Sequence, residues 1–137
     1  MAAFVKFYQF VEDLGLGVHN LNTGALKVYL SNAAPSQSLD LIKTDLAEIT
    51  NQNGYAAPVS ITPVWSEAAG VATLSGTDVV ITATGAVGPF QYVVLYNDTP
   101  ASPLDPLIGY WDYGAAVTLA NGETFTIDFG ASILTIT

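Results

Sequence analysis

Two segments, Gln91-Tyr92-Val93-Val94-Leu95-Tyr96 and Leu107-Ile108-Gly109-Tyr110-Trp111-Asp112-Tyr113, have the residue types of β-strands but are apolar on both faces. A sandwich strand with one wet face alternates apolar and polar residues. Here Val93 and Leu95 share one face, while Tyr92, Val94 and Tyr96 share the other. A two-layer body of this size has few places where both faces of a strand can be buried. Something must therefore cover the second face: the N-terminal helix, the long loops, or a neighbouring subunit.

The rest of the chain supplies the other parts of such a body. Over residues 4–14, Phe4, Phe7, Tyr8, Phe10, Val11 and Leu14 fall on one arc of a helical wheel, with Lys6, Gln9, Glu12 and Asp13 opposite. That spacing predicts a short amphipathic helix, weakened at its end by Gly15 and Gly17. Leu26-Lys27-Val28-Tyr29-Leu30 alternates as a strand. A Thr44 N-cap with Glu48 four residues on predicts one helical turn, and Asn51–Tyr55 reads as a turn. Further strands are expected at 59–65, 70–74, 78–84, 90–97, 106–113, 115–119, 123–129 and 132–136. Ser75-Gly76-Thr77 and Ala120-Asn121-Gly122 are expected to be hairpin turns. Short strands separated by regular turn signals predict a mainly β, single-domain β-sandwich of jelly-roll-like type. One domain covers 1–137: a helix at about 4–14 and a β-rich body at about 25–137.

Little in this chain suits catalysis. It has three Lys, no Arg, one His and no Cys, against twelve acids, for a net charge of −9. Three scattered lysines cannot displace the counterions of a nucleic acid or grip an anionic membrane. No run of about 18 apolar residues is present to span a bilayer, and the first ten residues do not follow the pattern of a signal peptide. His19 has no nucleophile elbow to serve, and a lone His cannot build a histidine zinc site within one chain. Asp98, Asp105 and Asp112 are spread around one loop and strand, with nothing to fix a pair at a hydrolytic separation. Asn97, Asp98 and Asp105 match no Ca²⁺-loop signature. The expectation is a non-enzymatic protein without metal or cofactor, whose acidic charge keeps an apolar body in solution.

Several stretches resemble a family of small tailed-bacteriophage structural proteins. They are Phe10-Val11-Glu12-Asp13-Leu14 with Val18-His19-Asn20-Leu21, the run Leu26 to Pro35, Gly88-Pro89-Phe90 through Thr99, Pro106 through Gly114, and Leu119 through Ile127. The resemblance covers nearly the whole chain, although the loop 100–105 is longer than that family's pattern. It implies a virion component made in the bacterial host cytoplasm, with capsid decoration (cement) on the outside of the head as the first expectation. Its implied partners are the major capsid protein and further copies of itself, as a homotrimer by analogy with other decoration proteins. Tyr92, Tyr96, Tyr110, Trp111 and Tyr113 are the expected subunit contacts, and Phe4, Phe7 and Tyr8 the expected capsid contacts. The alternative is a tail or fibre component that binds host carbohydrate, with an exposed Trp65 stacking on sugar rings.

Overall fold

β-Branched and aromatic runs pair into antiparallel strands in the computed structural model, which describes residues 2–137. The chain opens with β1 (Phe4–Lys6), α1 (Tyr8–Gly15) and β2 (Leu26–Ser31), then makes a single 3-10 turn at Lys43–Asp45. There follow β3 (Val59–Ser60), β4 (Val64–Ala68), β5 (Val71–Ser75), β6 (Val79–Thr82) and β7 (Val87–Asn97). β8 (Leu107–Leu119), β9 (Thr124–Ile127) and β10 (Leu134–Ile136) complete the order. One sheet runs β1-β8-β7-β2-β3, a second β10-β5-β4, and β6 pairs with β9.

Val28, Leu30, Val93 and Leu95 from the large sheet meet Leu74 of β5, Ile81 of β6 and Ile127 of β9 in one buried cluster. The two small sheets thus lie over one face of the large sheet, making a mainly β sandwich whose second layer is split in two. The strand order does not by itself define a jelly roll.

The N-terminus departs from the predicted helix over 4–14. Phe4 and Val5 pair with Trp111 and Tyr110 as an edge strand, so the sheet claims the backbone that the wheel had assigned to a helix. Phe7 stays extended (φ −75°, ψ 150°), and α1 begins only at Tyr8. This rotates the helical face: Tyr8 and Val11 point outward, while Asp13 is buried. Phe7 and Phe10 end in different clusters, one on each side of the large sheet.

Other boundaries moved for local reasons. The expected strand 59–65 is broken by Thr62 at φ +49° and by Pro63, which sends β3 and β4 to different sheets. The tight hairpin is at Ala69-Gly70 between β4 and β5, both residues with positive φ, as a type I′ turn requires. Ser75-Gly76-Thr77 is no hairpin; it carries the chain from one small sheet to the other, with Thr77 N and Oγ1 both donating to Ile61 O. The Asn121-Gly122 turn forms, closed by Glu123 N donating to Ala120 O at 3.0 Å. It too changes sheets, from β8 to β9. At the 3-10 turn the cap is the Asp45 carboxylate, which accepts from Leu41 N and Ile42 N, in place of the Thr44 hydroxyl.

The two expected strands 106–113 and 115–119 are one strand, β8, interrupted by a bulge. Its register with β7 jumps from Tyr92↔Asp112 to Phe90↔Val117. Gly114 at φ +94° makes the jump possible, and Asp112 Oδ1 accepts from Gly114 N at 2.8 Å. Bulges of this kind re-aim side chains. Here Tyr113 is turned onto Phe125 of β9, ring centroids 5.5 Å apart.

Candidate functional site

The second apolar face of β7 and β8 is covered by the chain itself. Phe7 and Leu46 close over Tyr29, Val94, Tyr96 and Leu107 to form a second buried cluster. A polar network pins the covering segment. Lys43 Nζ pairs with Glu48 Oε2 at 3.0 Å and lies over the Tyr29 ring, 4.8 Å from its centroid. Tyr55 OH donates to Glu48 Oε1 and accepts from Leu30 N of β2 at 2.8 Å. Tyr29 OH donates to Leu46 O at 3.0 Å. Burial pushes the Tyr29 and Tyr55 hydroxyls far above their ordinary range, with the Glu48 charge adding to the effect. They remain donors at any physiological pH.

The aromatic residues expected at contacts divide sharply. Phe7 and Tyr96 are enclosed within the chain and have no surface to offer a partner in this conformation, and Trp111 keeps only 8% of its surface open. Phe4 lies edge-on against Trp111, centroids 5.2 Å apart. Tyr110 touches both Phe7 and Tyr92. Phe4, Tyr92 and Tyr110 are half-buried, and Tyr8 (61% exposed) and Tyr113 (53%) stand free. Gly109 is required beneath Phe4, because a Cβ there would collide with that ring. Trp65 is half-buried against the main core, so it presents no fully open stacking platform.

The loop joining β7 to β8 holds two carboxylates, Asp98 and Asp105. Lys27 Nζ binds Asp98 Oδ2 at 2.7 Å, and Asp105 Oδ1 is buried without a hydrogen-bond partner among the described residues. Lys27, then Asp105, hold Asp98 below the usual carboxylate range. Desolvation, then Asp98, push Asp105 up. Sequence spacing did not reveal this pair. Asn97 is turned away from it, with Oδ1 accepting from Thr99 N and Nδ2 facing His19 Nδ1 at 3.1 Å. Among the described residues no three acidic or histidine side chains converge as a metal site.

His19 is buried against Phe10, centroids 5.2 Å apart. Because Asn97 offers its donor end, Nδ1 accepts and the ring proton sits on Nε2. Neither Nε2 nor Asp13 Oδ2 has a hydrogen-bond partner among the described residues. Desolvation lowers the His19 pKa, with nearby Asp13 opposing. A lowered folded-state value means the unfolded chain binds the proton more readily, so this contribution to stability is lost as pH falls through the unfolded value near 6.5. Thermal unfolding from pH 7.5 to 5 is expected to show a fall in Tm that is shallower in His19→Gln, whose amide oxygen can still accept from Asn97. Parallel pH curves for the two proteins would refute this role.

Two recesses remain open. One, of about 610 Å³, lies between β9 and the β8 bulge, floored by Val93 and Trp111 and walled by Tyr113 and Phe125. The other, of about 650 Å³, lies among β1, α1 and β10, beside Phe4, Val11 and Ile136. Tyr113 lines the first of these, while exposed Tyr8 lines neither. The residues of β9 were not singled out from the sequence; Thr124-Phe125-Thr126-Ile127 carries only an ordinary strand alternation. No helix among the described residues is long and apolar enough to cross a membrane. No protein-family model, curated protein or solved structure matches this chain.

Proposed function

We propose that this chain is a structural component of a tailed-bacteriophage virion, a capsid decoration protein that sits on the outside of the head. The carrying observation is how polar and apolar groups are distributed. The buried or paired ionisable groups tie segments of the chain together, while apolar side chains stay exposed around two open recesses. That arrangement suits a protein whose work is contact. The resemblance along most of the sequence directs the reading to the phage virion.

In this role the protein bridges neighbouring subunits of the major capsid protein, itself as a homotrimer, and adds contact area that the shell must lose before it opens. Tyr8 and Phe4 serve the capsid side, and Tyr113, Tyr92 and Tyr110 the subunit side. The tail or fibre alternative draws no support from half-buried Trp65. Immunogold labelling of purified virions with an antibody to this chain tests the reading. Even labelling of heads is expected; gold confined to tails transfers the protein to the tail, and unlabelled intact particles sink the surface role. Light scattering at working concentration separates trimer from monomer.

A further inference from the structure

We propose that the recess between β9 and the β8 bulge is a strand-acceptor site, which takes an extended, lysine- or arginine-bearing segment of a partner polypeptide as a third strand beside β6 and β9. The inference deepens the assembly reading and requires a partner chain, but it does not depend on where in a virion that partner lies.

The backbone supplies the first ground. β9 is paired on one side only, with β6. Ala83 N donates to Glu123 O at 2.8 Å, and the register continues as Thr82↔Thr124, Ile81↔Phe125 and Val80↔Thr126. Alternation along the strand therefore turns the N–H and C=O groups of Thr124 and Thr126 away from β6, toward the recess that both residues line. No hydrogen bond among the described residues reaches them. Protein edges are usually blunted by lysine, proline or a covering loop; β9 carries neither lysine nor proline, and among the described residues only Ala2 of the N-terminal segment joins the recess from outside β7, β8 and the 124–128 run. An added strand would place alternate side chains against the Tyr113–Phe125 ring pair, the usual means by which an accepted strand gains specificity.

Charge decides the occupant. Asp128 lines the recess, and the chain as a whole carries a net charge of −9. The chain's lysines lie elsewhere: Lys27 on Asp98, Lys43 on Glu48, and Lys6 opposite Gly109 on β1. A strand carrying cations meets complementary potential, whereas a second copy of this chain brings another net −9.

The probe is a capped octapeptide alternating lysine and valine, titrated into the intact protein at low salt and followed by amide NMR and hydrogen exchange. Shifts confined to Tyr113 and residues 124–128, with slowed exchange at Thr124 and Thr126, are expected. A glutamate–valine peptide should bind at least tenfold more weakly. Thr126→Pro, which removes an outward N–H, should abolish binding, and Asp128→Lys should weaken it several-fold while unfolding stays cooperative. Equal binding of both peptides, shifts in the α1–β10 recess, no response at millimolar peptide, or protection of the same amides by self-association would each overturn the proposal. Head labelling of virions alongside a failed titration would leave the decoration reading intact and remove only this site.

Discussion

Phe7→Ala is expected to cost about 3–5 kcal/mol of folding stability, the range for truncating a fully buried aromatic. Phe7 has no exposed surface and closes the cluster formed with Tyr29, Leu46, Val94, Tyr96 and Leu107. Alanine would leave a void beneath a strand only three residues long, and that strand cannot move inward without breaking its register with β8. Tyr8→Ala, one residue on at a side chain 61% exposed, should change stability by no more than about 0.5 kcal/mol. Urea denaturation of both variants, read as midpoints at constant m, makes the comparison. Small and equal losses would mean that a neighbouring molecule, and not Phe7, keeps the second face of the sheet dry.

Tyr55→Phe should cost about 2–4 kcal/mol although the ring keeps its shape. The lost hydroxyl accepts from buried Leu30 N and donates to Glu48. An orphaned buried amide costs about 1–3 kcal/mol, and the bond to a charged carboxylate adds to that. Tyr29→Phe, which frees only carbonyls, those of Leu46 and Lys43, should cost about 1 kcal/mol. Amide exchange at Leu30 should accelerate in Tyr55→Phe and not in Tyr29→Phe. If the two variants proved equally stable, the network would not be what fastens the 41–57 segment to β2.

The sandwich was legible because alternation and turn residues are local signals. Leu26 to Leu30, the long β7 and the Asn121-Gly122 turn all appear where their own residues place them. What was not legible depended on partners distant in sequence. Phe4 and Val5 suit a helix or a strand equally well, and only the free edge of β8, more than a hundred residues away, settles the matter. The two-faced strands posed the right question, while the answer lay in Leu46 and Phe7, whose spacing carries no sign of the role. The contact residues fared similarly. Tyr and Trp composition marks a surface worth burying, but parity along β7 and β8 decides which rings the chain keeps for itself. Trp111 and Tyr113 share a face, yet the bulge at Gly114 leaves only the second exposed.

The strand order β1-β8-β7-β2-β3 has a consequence for synthesis on the ribosome. The centre of the large sheet is the β7–β8 hairpin, while its earliest strands, β1 and β2, are docked on either side of it. As the chain emerges N-terminus first, Phe4–Lys6 has no partner until β8 leaves the exit tunnel, and Leu26–Ser31 has only the two-residue β3 on one side until β7 does. At about 5–20 residues per second that delay is several seconds. During it, two apolar strands have open edges, in the crowd of nascent copies that a polysome produces. The nascent chain is therefore most exposed to mispairing before β8 has emerged, and a pause in translation ahead of residue 107 should lower the soluble yield more than one placed after residue 119.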